Sequence, residues 1–163
     1  MDRARLEEAC RSLPLFPLPG TVLMPGSLLP LHVFEPRYRE LVADCIREGM
    51  PLSVCQIRPE EVADAANAPG VLPYAGVGII GAHHELPDGR YNVLVQPLGR
   101  VRLLGERPSG KAYRIAEAQL LVDETVLPGE LAAAGDRVRG LFTPLVGRMG
   151  KVGEGVARAL SSL

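Results

Sequence analysis

The sequence predicts an α+β fold that is mainly β, and three stretches carry that prediction. Residues 12–34 read SLPLFPLPGTVLMPGSLLPLHVF, free of formal charge but broken by Pro14, Pro17, Pro19, Pro25 and Pro30. Residues 35–49, EPRYRELVADCIREG, change abruptly to a helical period. Residues 76–104 place two long runs, GVGIIGAHHEL and RYNVLVQPLGRVRLL, on either side of Pro87-Asp88-Gly89, the signature of a β-hairpin.

The uncharged stretch decides between a membrane span, a secretion signal and buried extended chain. A spanning helix needs about 20 apolar residues that all stay helical. Each proline here removes a backbone donor and clashes with the preceding turn, leaving carbonyls that hydrocarbon cannot satisfy. The preceding MDRARLEEACR balances its arginines with acids, unlike the basic start of a signal peptide. The stretch is therefore read as a strand over residues 13–18, turns at Gly20 and Pro25-Gly26, and a second strand over 27–34. Apolar on both faces, it belongs inside a sheet or barrel.

Pro36 suits a first helical turn, and Tyr38, Leu41, Val42, Cys45 and Ile46 form one apolar stripe closed by Gly49. Residues 50–57, MPLSVCQI, read as a strand, followed by an acidic Ala/Pro-rich loop over 58–75 that is expected to be mobile. If Asp88-Gly89 are the two turn residues of the hairpin, Leu86 faces Tyr91 and His84 faces Val93. His83 and His84 then point to opposite faces and cannot chelate one metal together. Gly99 after Pro97 suggests a bulge in a long strand, and residues 112–122 read as a further strand. Beyond residue 125 the pattern is helical. Val138, Leu141, Phe142, Leu145, Val146 and Met149 make a stripe that Pro144 is expected to kink or interrupt. A second short pattern, Val152, Val156, Leu160 and Leu163, reaches the chain end without a stop signal, as in an extension that continues.

Length and composition suit one domain, with 163 residues, 47% apolar and 23% charged. A net charge of -1 gives no global positive field to draw nucleic acid or anionic lipid. Of 18 basic residues all but Lys111 and Lys151 are arginine, which reads as coding bias rather than a binding device. Cys10, Cys45 and Cys55 are odd in number and form no CxxC pair, favouring reduced thiols and a cytoplasmic location. These cysteines with His32, His83 and His84 lack the spacing of a zinc site, so no metal and no cofactor is expected.

The order of elements resembles the N-terminal substrate-binding (LON) domain of the ATP-dependent Lon proteases. The resemblance is carried by LPLFPL (residues 13–18), VLMPGSLLPLHVFEPRYREL (22–41), YAGVGIIGAHHELPDGRYNVLVQPLGRVRLL (74–104) and AYRIAEAQLL (112–121). It covers residues 13–124, so 1–124 is expected to be a LON-like β domain and 125–163 a helical C-terminal extension, open at its end. One departure stands out: the family usually has Gly where this chain has Pro97, so the local ladder must differ or lie at an edge. The resemblance implies a PUA-like pseudo-barrel of about six strands with an inserted helix. It also implies a non-catalytic module that contacts protein or peptide, as a protease adaptor or a binder of unfolded polypeptides. The ATPase and Ser-Lys protease modules of full Lon proteases lie C-terminal to such a region, and this sequence has no room for them.

Other chemistries fall short on their own residues. GERPSGKA (residues 105–112) nearly spells a P-loop, but Ala112 stands where Ser or Thr must hold Mg²⁺ and a strand follows instead of a helix. Ser27 or Ser109 with Lys111 would need a desolvated lysine, whereas Lys111 reads as a solvated loop residue. Glu60 and Glu61 sit in a loop that cannot fix their separation. Glu35, Arg37 and Arg39 read as an ion pair and helix cap. The leading expectation is thus an exposed apolar patch or free sheet edge that accepts an unfolded polypeptide, lined by Leu72, Tyr74, Val77 and Ile79. The alternative is a PUA-like RNA-binding domain, which would need Arg90, Arg100, Arg102, Arg107 and Arg114 on one face.

Overall fold

A computed structural model describes residues 1–64, 69–122 and 128–147 of the chain. It divides into two compact units, Met1–Val122 and Asp123–Leu163. The first unit holds six strands in one sheet: β1 Leu13–Leu18, β2 Leu29–Val33, β3 Leu52–Ile57, β4 Val71–Glu85, β5 Tyr91–Arg107 and β6 Ile115–Leu120. Two helices accompany them, α1 Arg3–Ala9 and α2 Pro36–Glu48. The described part of the second unit is the helix α3, Pro128–Gly147. It runs through Pro144 without ending there, so of the kink or interruption expected, the interruption does not occur. Met149 and the short helical pattern over 152–163 lie outside the described residues.

The strand order is β2-β5-β4-β3-β1-β6, with a further pairing of β5 to β6. The last pairing bends the sheet back on itself into a barrel-like form. Its β1–β6 seam is short, with only Leu13↔Ala116 and Pro14↔Ile115 in register. β5 makes this arrangement workable because it is long enough to serve different neighbours at its two ends. Its first half pairs with β2 from Leu29↔Val95 to Val33↔Tyr91, and its second half pairs with β6 from Val101↔Leu120 onward. The changeover falls where the register against β4 slips, between Val77↔Gly99 and Gly78↔Pro97. Pro97 cannot donate to a ladder, and here it stands at a bulge that bends the strand, the local deviation its sequence position requires.

β1 is buried along almost its whole length, and its two faces enter different clusters. Phe16 packs into the main core with Leu41, Val42, Val54 and Val95, its ring stacked on Tyr38 of α2 at 4.4 Å between centroids. Leu13 packs with Leu6 and Cys10 from the N-terminal segment and with Val77 and Val101. Each such fully buried aliphatic side chain contributes about 1.5–3 kcal/mol relative to exposure. Burial on both faces accounts for the uncharged β1, whereas the rest of the stretch departs from the expectation: β2 alternates, with Pro30 and His32 exposed, and Val22, Met24 and Leu28 of the intervening loop are exposed.

α2 is built as its stripe predicts. Pro36 occupies the first turn, Tyr38, Leu41, Val42 and Cys45 are buried, and Gly49 ends the helix in the left-handed region at φ 61°. The expected Glu35 side-chain cap is not made; its carboxylate instead accepts from Arg37 at 2.8 Å. α1 was invisible to the periodicity argument. It is N-capped by the Asp2 carboxylate on the Arg5 amide and buries Leu6.

The hairpin differs from expectation by one residue. Leu86 N–H donates to Arg90 O and Gly89 N–H to Leu86 O, both at 2.8 Å, so Pro87, Asp88 and Gly89 form a three-residue turn. Glu85 therefore faces Tyr91, His84 faces Asn92 and His83 faces Val93. Gly89 supplies the positive φ, 76°, that such a turn needs. The loop expected over 58–75 is also shorter. A 3₁₀ segment covers Pro59–Asp64, and β4 already begins at Val71.

Candidate functional site

Between β1 and β2 the chain makes a loop over residues 19–28, and the sequence around Leu23 sets its shape. Gly20 and Gly26 turn it at φ 61° and 74°. Ser27 closes its far end, donating from both its amide and its hydroxyl to Met24 O at 3.2 and 2.7 Å. Leu23 is buried, 2% exposed, while its neighbours Val22 and Met24 are 54% and 57% exposed. In extended chain successive side chains point to opposite sides, so sinking Leu23 projects the other two outward.

Leu23 sinks because β4 leaves room for it. A Cβ on Gly76 would lie 2.7 Å from Leu23 Cβ, and one on Gly78 would lie 2.8 Å from Leu23 Cδ2. Gly76 and Gly78, two of the three glycines of YAGVGIIG, are thus the floor of a socket. Around it opens a groove of about 450 Å³, lined chiefly by Val22, Met24 and Pro25 of the loop, Val54 of β3, Tyr74 of β4 and Arg100 of β5. Tyr74 stands 62% exposed at its wall. Among the described residues the groove offers apolar surface with one cation, and no nucleophile–base pair lines it.

The residues singled out in the sequence distribute unevenly around this groove. Tyr74 lines it. Leu72 and Ile79 are half-buried on β4 outside the lining, and Val77 is fully buried in the core. Arg100 was considered only for RNA, and Val22 and Met24 were missed. Their signal was present only as Thr-Val-Leu-Met between two Pro-Gly pairs, and the socket that gives it meaning lies more than fifty residues away.

Lys111 is exposed, as expected, and it also has a partner. Its ammonium donates to Asp44 Oδ2 at 2.7 Å, and the phenol of Tyr113 donates to the same oxygen at 2.8 Å. Asp44 also accepts from Arg47. The Lys111 hydrogen bond, with help from Tyr113 and Arg47, outweighs desolvation and holds the Asp44 carboxyl at about 2, against an ordinary 3.8. In return the Lys111 pKa is raised, so this lysine stays an ammonium ion and cannot serve Ser109 as a base. The Ser109 hydroxyl is turned to Tyr113 O at 3.3 Å.

Other groups have structural partners. Glu61 accepts from the Gly70 amide at 2.5 Å, so it is held after all, as a loop clasp. Gly105 to Arg107 end β5 and β6 follows, which leaves no helix N-terminus for a phosphate. Burial raises the thiols of Cys45 and Cys55 to about 12, so they remain protonated. Of the five arginines weighed for RNA, Arg90 pairs with Asp88 and Arg114 with Glu106, while Arg107 donates to Arg11 O. Among the described residues no group of three or more metal-ligating side chains occurs, and no helix is long and apolar enough to cross a membrane.

Comparison with known proteins agrees with this architecture. The chain matches the family model described as the ATP-dependent protease La (LON) substrate-binding domain over residues 12–154. It is 31% identical over 134 residues to Lon protease 2 of Syntrophobacter fumaroxidans, covering 82% of this chain and 17% of that protein. It is 29% identical over 118 residues to the Lon protease of Anaeromyxobacter dehalogenans, covering 71% of this chain and 13% of that one. The chain therefore spans under a fifth of the length of these relatives. Among solved structures it resembles the Lon N-terminal domain protein of Xanthomonas campestris, with TM-score 0.56, 29% identity, and 85% and 72% of the two chains covered. The N-terminal domain of the Mycobacterium avium complex Lon protease shares the fold at TM-score 0.66 and 14% identity, with 90% and 75% covered. A six-stranded sheet with its helix after β2, and a match running across most of the sequence, place this chain in the family of Lon substrate-binding domains.

Proposed function

We propose that this chain is a non-catalytic polypeptide-binding module that holds an extended apolar segment of an unfolded protein in the groove between the 19–28 loop and β4. In this reading it serves as a binder of unfolded chains, able to act as an adaptor for a separate protease. The observation that carries the reading is the pair Val22 and Met24, held out at 54% and 57% exposure by the buried Leu23 between them. Exposed aliphatic side chains around a concave apolar surface cost solubility unless something covers them, and an unfolded segment has apolar residues to offer. Tyr74 adds an amphipathic ring that suits both backbone and side chain of such a segment.

The test is fluorescence anisotropy of a labelled, permanently unfolded polypeptide titrated with the full chain. Saturable binding, competed by other unfolded polypeptides, is expected. The double substitution V22D/M24D should weaken it at least tenfold with an unchanged circular dichroism spectrum. Binding that is equally strong in that variant would remove the groove from the reading, and no binding by the parent chain would remove the reading itself.

A further inference from the structure

Resting on that polypeptide-binding reading, we propose that the 19–28 loop pairs with the backbone of the bound segment as an antiparallel strand neighbour. The edge it offers is that of Val22 and Met24. The ligands it selects are extended runs with aliphatic residues two apart and free backbone amides.

The sheet beneath the groove has no such edge to give. Val54 of β3 is paired to Phe16 on one side and to Gly76 on the other. Ala75 and Gly76 of β4 are paired to β3 through Cys55 and Val54, and to β5 through Val101 and Arg100. A segment laid over these residues meets side chains and no open ladder.

The loop is different. Residues 21–24 belong to none of the six strands. Among the described residues, the amides of Val22 and Met24 and the carbonyl of Val22 have no backbone partner. In extended chain the N–H and C=O of one residue point to one edge and those of the next to the other, so these groups share an edge. Met24 O, taken by Ser27, ends it. Val22 and Met24 both line the groove, and both are more than half exposed. Leu23 in its socket and Ser27 on Met24 O hold the edge in place beforehand, so the cost of ordering falls on the ligand alone.

Those groups also set a register. A ligand residue opposite Val22 donates to its carbonyl and accepts from its amide, and the residue two before it accepts from the Met24 amide. Directly opposed side chains project to the same face, so these two ligand residues stand beside Val22 and Met24, where aliphatic side chains fit best. A proline opposite Val22 would remove the donor.

The experiment uses three labelled peptides with one side-chain sequence, an alternation of aliphatic residues and threonine, titrated with the full chain. One is unmodified, one is N-methylated on the aliphatic residues and one on the threonines. An N-methyl group removes a donor and obstructs a partner strand on its own edge only. Methylation of the aliphatic residues is expected to weaken binding by about tenfold or more, the scale of one or two lost hydrogen bonds, and methylation of the threonines by less than about threefold. Equal affinity of all three peptides would overturn the backbone pairing and leave polypeptide binding through side chains in place. Equal loss in both methylated peptides, or loss only in the threonine-methylated one, would also overturn the pairing. No binding of the unmodified peptide would overturn the polypeptide-binding reading together with it.

Discussion

At the scale of single residues, Asp44 shows how much a carboxylate can organise without taking part in chemistry. It is 4% exposed on α2, yet it accepts from a lysine 67 positions away and a tyrosine 69 positions away. These bonds tie the loop before β6 to the helix. A carboxyl whose folded pKa lies below its unfolded one adds stability that is complete above the unfolded value. That stability is lost as pH falls through the folded one. For Asp44 the window runs from about 3.8 down to about 2. Denaturant midpoints of the parent chain should therefore drop between pH 4 and pH 2, and in D44N the drop should be smaller. At pH 7, D44N should lose about 1–3 kcal/mol, the usual effect of weakening a buried, charge-assisted network. A pH profile identical to the parent's would show that Lys111 and Tyr113 do not act through this carboxylate.

At the scale of elements, the 19–28 loop and β4 are one device. Leu23→Ala should cost about 2–5 kcal/mol, in the range of other buried Leu truncations. Gly76→Ala brings a methyl to 2.7 Å from Leu23 Cβ and from Leu23 O, so it should also destabilise, by about 1–3 kcal/mol. Because the two changes act on one contact, the double variant should lose less than the sum by 0.5 kcal/mol or more on the scale of directly coupled sites. Strict additivity in urea denaturation would mean that Leu23 does not occupy the socket.

The same pair marks the limit of what could be read without coordinates. β1, β2 and α2 were legible because each announces itself locally, through an uncharged run, a proline, a stripe or a glycine stop. The bulge at Pro97 was legible because a missing donor has to be accommodated somewhere. The hairpin turn was recognised from Pro87-Asp88-Gly89, but its register was not. Two- and three-residue loops share these residue types, and one extra residue shifts every cross-strand pair. Leu23 in its socket and Lys111 on Asp44 were not legible, since each joins positions far apart whose residue types are individually unremarked. Val77 looked like surface for a similar reason: on a strand buried from both sides, alternation no longer separates inside from outside.

At the scale of the whole first unit, stability is expected to be uneven. β4 and β5 share the longest ladder, from Tyr74↔Arg102 to Glu85↔Tyr91, and β5 also pairs with β2 and β6. By contrast α1 is seven residues long and buries one of them, and the β1–β6 seam is two pairs long. Local opening follows such differences in pairing and burial. Amide hydrogen exchange should therefore be slowest at Val77, Val93 and Val95, and faster in α1 and at the seam by an order of magnitude or more. Uniform exchange rates would show that the unit opens only as a whole.

The alternation at residues 22–24 has one more consequence. The inward side chain answers to the core and the outward two answer to solvent, so within this tripeptide the requirement to fold rests on Leu23. Positions 22 and 24 can change in size, polarity or charge while Leu23 keeps the loop where it is. In the proposed polypeptide-binding role, such a loop could be retuned from one clientele to another by substitutions that the interior never registers.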